Sequence, residues 1–200
     1  TENIEADDAI AYICEQIYPE SQKFIMSTDK DYLQLVNDKV QVWSPTKKKF
    51  YFQETILEEF GVPANNFLEY RTLLGDSSDN IPGIKGTGLK TLQKRLPIIF
   101  GDKKITIDDI LKQAEDNKSD AKILATIAES GDILRLNYKL MQLREVDISG
   151  HAKSSILDIV RRPIQRLNKP KFLTMFLEDK INSTMKNAEF WLQDTWRSIN

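Results

Sequence analysis

The sequence predicts a mixed α/β fold that turns all-helical at about residue 54. Two observations carry this. Short apolar runs of strand type are confined to the first quarter of the chain, at Phe24-Ile25-Met26, Val40-Gln41-Val42-Trp43 and Phe50-Tyr51-Phe52. Beyond residue 54 the apolar residues recur instead at helical spacing. Its 200 residues, 40% hydrophobic and 29% charged, suffice for one large domain or two small ones with a real core.

In chain order, Ala6, Ala9, Ile10, Ile13 and Ile17 space a helix over 5–17, which Pro19 ends. Phe24–Met26 reads as a buried strand, and Leu33, Leu35 and Val36 as a brief helical turn. Val40–Trp43 alternates as a strand does, and Pro45-Thr46-Lys47-Lys48 joins it to Phe50–Phe52 as a hairpin. Helices follow over 54–60, closed by Gly61, and over 66–75. A glycine-rich turn at 83–88 precedes a helix from Leu89 to about Phe100, and further helices cover 107–116, 120–130 and 132–143. Arg162-Pro163 and Lys169-Pro170 punctuate the tail, and a last helix near 186–197 carries Phe190, Trp191 and Trp196. The expected division is 1–56 for the α/β part, 57–150 for the helical region and 151–200 for a helical tail.

Composition removes whole classes of chemistry. Cys14 is the lone cysteine and His151 the lone histidine, so an intrachain disulfide, a cysteine zinc site and a histidine-based mechanism are excluded. A single thiol fits a reducing cytoplasm. No apolar run approaches the roughly 20 residues that a membrane span needs. The start, Thr1-Glu2-Asn3, is polar and lacks Met, which suggests a fragment or a processed product. The net charge of −2 conceals patches of opposite sign. Glu2, Glu5, Asp7 and Asp8 open the chain. Lys85, Lys90, Lys94, Arg95, Lys103 and Lys104 face only Asp102 across 80–104, and 161–171 holds five basic residues and no acid. Acid for metal and base for phosphate coexist with a small net charge.

Seven carboxylates fall in three clusters: Glu5, Asp7 and Asp8 in I-E-A-D-D, Asp29 and Asp31 in S-T-D-K-D, Asp76 and Asp79 in G-D-S-S-D-N. Each alone has a plain reading, as acids of a first helical turn or as caps and turns. Asp29 and Asp31, if extended, share one side of a strand end. Gathered in one place they repel each other unless a cation neutralises them, which points to Mg²⁺ or Mn²⁺. Two such ions about 4 Å apart serve phosphodiester hydrolysis without histidine. Next in the chain comes Gly83-Ile84-Lys85-Gly86-Thr87-Gly88-Leu89-Lys90, where glycines allow close backbone approach and N–H groups and lysines suit phosphate. The plain alternative is an interhelical turn.

In E-A-D-D at 5–8, S-T-D-K-D at 27–31, G-D-S-S-D-N at 75–80 and G-I-K-G-T-G-L-K at 83–90, taken in that order, the chain resembles the 5′ nuclease family. That family comprises flap endonucleases, the 5′-exonuclease domains of bacterial DNA polymerases and phage ribonuclease H/5′-exonucleases. The likeness covers about residues 4–150, and Leu136–Leu140, Leu143 and Asp147 resemble its later packing segment. Small size and a divergent tail resemble the phage enzymes, acting in an infected bacterial cytoplasm.

The resemblance implies the C-terminal part of a PIN-like α/β nuclease core followed by an all-α helix–three-turn–helix DNA-binding region. It implies metal roles for Glu5, Asp7, Asp8, Asp29, Asp31, Asp76 and Asp79, with Asp7, Asp8, Asp29 and Asp31 catalytic, around two Mg²⁺ or Mn²⁺. It implies duplex backbone binding through Lys85, Gly86, Gly88 and Lys90, and K⁺ held by the main chain of Ile84 and Thr87. The expected activity is metal-dependent 5′-3′ exonuclease and flap endonuclease cleavage that removes RNA primers or 5′ flaps during replication. Expected partners are duplex or flapped DNA and RNA–DNA hybrid. The family's N-terminal region, with its first strand, further acids and arch, lies upstream of E-A-D-D and is expected to be missing or supplied in trans. The alternatives are a non-catalytic duplex-binding module, or an adaptor that docks a replication protein through Phe190, Trp191 and Trp196.

Overall fold

A computed structural model describes residues 4–145, 147–163, 167–181, 185 and 187–199. The chain divides into two compact units, Thr1–Leu157 and Asp158–Asn200.

The first unit opens with α1 (Ala6–Tyr12), which continues as a π-helical turn over Ile13–Ile17 rather than as one regular α-helix over 5–17. The Lys23 ammonium collects the carbonyls of Cys14, Tyr18 and Pro19 at 3.0, 2.7 and 3.1 Å and so fixes the end of that turn. Strand β1 (Lys23–Met26) pairs in parallel with β2 (Val40–Ser44), which pairs antiparallel with β3 (Lys49–Tyr51). One face of this sheet buries Ile25, Val42 and Tyr51 in a core shared with Leu33, Leu35, Ile56 and Phe67. Each such side chain contributes roughly 1.5–3 kcal/mol by leaving water. The opposite face is aromatic and open: Phe24 is 61% and Met26 74% exposed, and Phe24 and Trp43 both pack against Phe50, at 5.9 and 4.7 Å between ring centroids.

Helix α2 (Gln53–Phe60) stops at Gly61, whose φ of 69° is the left-handed conformation of a helix terminator. After it, α3 (Phe67–Leu74), α4 (Leu89–Arg95), α5 (Ile107–Asp116), α6 (Lys122–Glu129) and α7 (Gly131–Met141) enclose a second core around Leu73, Leu92, Leu96, Ile99, Ile110 and Leu134. Buried Asn66 holds the loop into α5, donating to the carbonyls of Ile99, Gly101 and Lys103 and accepting from the Ile105 N–H. Thr106 and Asp109 then form a reciprocal capping box at the start of α5.

Two expectations are corrected here. The helix from Leu89 does not reach Phe100: it ends at Arg95, and Pro97 opens a separate 3-10 turn, Pro97–Phe100, because a proline in the helix interior would clash with the preceding turn. The region after residue 54 is not wholly α, for Gly75–Asp76 (β4) and Ile81–Pro82 (β5) pair as a minimal antiparallel hairpin.

Helix α8 (Gly150–Val160) contains the division between the units. In the second unit, α9 (Lys169–Glu178) and α10 (Ala188–Ile199) meet through Phe172, whose ring stacks at 6.1 Å on Phe176 and 6.2 Å on Trp191. Phe190 and Trp191 are exposed. The Trp196 side chain lies outside the described residues. Among the described residues, no helix is long and apolar enough to cross a membrane.

Candidate metal centre and nucleic-acid interface

Three separate devices bring acids together in the first unit. The first is the turn that follows β1. Of the two readings of Asp29 and Asp31, the turn holds and the extended strand end does not: Asp31 opens a 3-10 turn, Asp31–Leu35, and its N–H donates to Asp29 Oδ1 at 2.9 Å. A short polar side chain that can bond the backbone two residues on favours such a turn over extension. Buried Gln34 clasps this turn to the end of α7. Its amide donates to the Met141 carbonyl at 2.9 Å and accepts from the Leu143 N–H at 3.0 Å, while Arg144 donates to the Gln34 carbonyl at 2.7 Å.

The second device is the hairpin β4–β5. A Cβ on Gly83 would sit 1.9 Å from the Leu74 carbonyl oxygen, and one on Gly75 would sit 2.3 Å from the Gly83 nitrogen. Only two glycines let these backbones cross, and Gly75 also has a φ of 72°. Buried Asn137 then fastens the hairpin, donating to the carbonyls of Pro82 at 2.8 Å and Thr72 at 3.3 Å. The third device is Arg71 in the last turn of α3. Its Nη2 donates to Asp31 Oδ1 at 3.3 Å and also to Asp76 Oδ2.

The outcome is a set of three carboxylates, Asp31, Asp76 and Asp79, whose oxygens lie within 4.8 Å of one another. Among the described residues they are the only group of three or more acidic, histidine or cysteine side chains so disposed. Asp76 and Asp79 border a cleft of about 590 Å³ that Thr28, Asp29, Lys30, Arg71 and Ser78 also line. Burial pushes Asp31 up to about 6, with Arg71 opposing the rise and Asp29 and Asp76 adding to it. Asp76 is held down at about 2, first by the Ser78 hydroxyl and then by the Ser78 N–H and Arg71, against burial. Both acids touch the same guanidinium; deeper burial raises Asp31, and the Ser78 donors lower Asp76.

The first acid cluster sits elsewhere. Glu5 caps α1 without a side-chain bond, and Asp7 accepts from the Asp8 N–H at 3.0 Å. Glu5 and Asp8 line a concavity with Lys139, Gln142, Glu145 and Asp147. Burial, then Asp7, raises Asp8. Tyr32 connects this cluster to the second: burial first, then the charges of Asp7, Asp29 and Asp8 push its hydroxyl up to about 12. The seven acids therefore form a tight triad, with Asp29 on the cleft of Asp76 and Asp79, and a separate cluster at the start of α1, rather than one uniform ring. A set of hard carboxylate oxygens with no nitrogen or sulfur suits Mg²⁺ or Mn²⁺.

Sequence reasoning missed Arg71, Gln34, Asn137 and Tyr32. Arg71 left a trace, a single arginine on an apolar helix five positions before Asp76; the two buried amides left none.

Past the hairpin, Lys85, Gly86, Gly88 and Lys90 are all exposed on one turn, and nothing lies within 4 Å of the place a Gly88 Cβ would take. Ile84 and Thr87 face inward. The Ile84 carbonyl accepts from the Thr87 N–H at 3.3 Å and lies 2.6 Å from the Thr87 hydroxyl.

Comparison with known proteins decides the family. Residues 1–61 match the family described as 5′-3′ exonuclease, N-terminal resolvase-like domain, and residues 62–161 match 5′-3′ exonuclease, C-terminal SAM fold. The chain belongs to the 5′-3′ exonuclease family. A 5′-3′ exonuclease of Aquifex aeolicus is 35% identical over 164 residues, which are 82% of this chain and 53% of that protein. A DNA polymerase I of Rhizobium leguminosarum is 36% identical over 145 residues, 72% of this chain and 14% of that one. The chain thus spans about half the length of the Aquifex exonuclease. In fold it is similar to a bacteriophage T5 5′-exonuclease variant, with a TM-score of 0.66 at 24% identity over 80% of this chain and 68% of that one. The bacteriophage T5 flap endonuclease in a pseudo-enzyme–product complex with DNA and metal ions gives 0.64 at 25% identity over 81% of this chain and 62% of that one. The 5′-3′ exonuclease fold therefore accounts for the α/β layer, the helical region and their order.

Proposed function

We propose that this chain supplies the metal-binding and duplex-binding part of a structure-specific 5′-3′ exonuclease and flap endonuclease that removes 5′ flaps or RNA primers in DNA replication. The observation that carries the reading is the carboxylate triad of Asp31, Asp76 and Asp79 followed at once in the chain by the exposed basic turn of Lys85, Gly86, Gly88 and Lys90. In this reading Asp31, Asp76 and Asp79 hold one divalent ion, and Asp7, Asp8, Asp29 and Glu5 serve a second. Bound Mg²⁺ or Mn²⁺ supplies Lewis-acid activation of water and of the scissile phosphate. The chain's own groups hold position. The Gly86–Gly88 backbone and the two lysines grip phosphates of the duplex without regard to sequence, so binding weakens with salt. No protein nucleophile takes part, consistent with one buried cysteine and one histidine in the whole chain. Main-chain carbonyls at Ile84 and Thr87 would take K⁺, sharing the Ile84 oxygen with Thr87. Both flapped DNA and RNA–DNA hybrid present the phosphate backbone that this turn requires. A lone thiol is compatible with a reducing, cytoplasmic setting for this activity.

One observation favours a condition on this activity. Among the described residues, strand β1 is paired on one side only and the aromatic face of the sheet is open, whereas parallel strands are usually covered on both faces. We read this as the seat of a further α/β segment of the same enzyme, in the same polypeptide or in trans.

Cleavage of a 5′-flap duplex in Mg²⁺, with the upstream region of a 5′-3′ exonuclease supplied in trans, tests the proposal. Cutting should be lost in Asp76→Asn while duplex binding persists. Duplex binding without cutting under every such condition would leave the chain a non-catalytic DNA-binding module.

A further inference from the structure

The acid triad carries a cation of its own. Arg71 is largely buried, and one nitrogen, Nη2, serves both Asp31 and Asp76. Its Nε is buried too and has no hydrogen-bond partner. A planar guanidinium forks best onto one carboxylate with two parallel bonds. Here it is instead wedged between two acids with a donor left over. The placement satisfies the carboxylates better than it satisfies the arginine.

Charge explains why it stays. Three carboxylates with oxygens inside 4.8 Å repel each other strongly in a partly dry cleft, and a guanidinium contacting two of them relieves that repulsion. A divalent ion would do the same work with twice the charge and would draw on the same two carboxylates, Asp31 and Asp76. Arginine and metal are then rivals for one pair of acids. The cleft that holds them is also where a phosphate would enter, and the unpartnered Nε–H is a donor suited to an anionic oxygen.

We propose that Arg71 is a displaceable internal counter-ion: it holds the triad together when metal is absent, competes with the divalent ion for Asp31 and Asp76, and on loading is released to donate to a phosphate oxygen in the same cleft. The proposal rests on the reading of Asp31, Asp76 and Asp79 as metal ligands. It assigns to Arg71 a positioning and affinity-setting role.

Calorimetric titration with Mn²⁺ alone, on the metal-free wild-type chain and on Arg71→Gln and Arg71→Lys, separates the outcomes. Arg71→Gln should bind Mn²⁺ about tenfold more tightly than wild type, and its metal-free melting temperature should be lower. Arg71→Lys, which keeps the charge and loses the fork, should fall between. Equal or weaker Mn²⁺ affinity in a folded Arg71→Gln protein would overturn the counter-ion role and make Arg71 a fixed strut of the hairpin. Wild-type protein that binds no Mn²⁺ would instead remove the metal-site reading itself. Should the glutamine variant not fold, wild-type protein still answers. The ¹⁵N-labelled Nε–H signal of Arg71, assigned by its loss in Arg71→Lys, should move on Mg²⁺ addition, and a signal indifferent to saturating Mg²⁺ refutes displacement.

Discussion

Asn137 on α7 donates to the carbonyl of Pro82 at 2.8 Å, and this bond fixes the loop that carries Asp76 and Asp79. The donor is buried and its second bond goes to Thr72, at the heart of α3. Asn137→Leu leaves the buried Thr72 carbonyl and the part-buried Pro82 carbonyl without this donor, so it should cost about 1–3 kcal/mol in chemical denaturation. Divalent affinity should fall with it, because the loop loses its anchor. Unchanged stability in Asn137→Leu would show that water replaces the amide.

The glycines of the hairpin and of the basic turn should respond in opposite ways. Gly83→Ala drives a Cβ into the Leu74 carbonyl, backbone that cannot move aside, and should cost about 3 kcal/mol or more. Gly88→Ala meets nothing and has an ordinary extended backbone, so the fold should hold within about 1 kcal/mol. Duplex binding, measured by fluorescence anisotropy, should nonetheless weaken in Gly88→Ala, since the added methyl blocks close approach of phosphate. Intact duplex affinity in that variant would move the interface off this turn.

Metal-free stability should rise when Asp31 is neutralised. Its carboxyl is pushed up to about 6, principally by burial, so in the folded state it prefers to be protonated. For an acid raised in this way, ionisation costs stability progressively from its ordinary value of 3.8 up to about 6, and the full cost is present above that. Asp31→Asn should therefore stabilise the EDTA-treated protein at pH 8 by on the order of 1 kcal/mol. The advantage should shrink at pH 5. Thermal melts at the two pH values check the sign.

Glu59 gives the opposite sign. Burial acts to raise it, yet the hydrogen bonds from Lys47, Lys49 and the Tyr51 hydroxyl outweigh burial and hold it at about 2. A depressed carboxylate contributes stability above its unfolded value of 4.5 and loses it as pH falls from there toward 2. Acid titration of the fold should thus show a destabilising limb between those values, shallower in Glu59→Gln. Identical limbs in the two proteins would mean the cluster at the end of β3 contributes nothing.

Periodicity carried most of the fold. The strands at 24–26, 40–43 and 50–52 and the helices over 107–116, 120–130 and 132–143 all have counterparts at the expected places, because each buries one regular apolar face. Where a local rule competes with the period, sequence reasoning slipped. Pro97 broke the helix begun at Leu89, while at Asp29 and Asp31, where extended and turn readings both stood, the bond from the Asp31 N–H to Asp29 decided for the turn. Lys169-Pro170 was expected only to punctuate the tail, yet Pro170 occupies the first turn of α9, where a missing N–H costs nothing. Within the site, acids announce themselves by type and spacing. The groups that hold them do not: Gln34 and Asn137 are ordinary helix residues until their partners, 107 and 55 positions away, are known.

That separation has a consequence for a chain made from one end. All seven acids and the basic turn have been synthesised by Lys90, but the amide that steadies the hairpin arrives with Asn137 and the clasp on Gln34 only with Leu143 and Arg144. Through that interval the nascent chain displays its full complement of acids while lacking the bonds that hold them in register. The acid sites are therefore the last part of their own unit to be fastened, when α7 and the residues after it close over segments made long before.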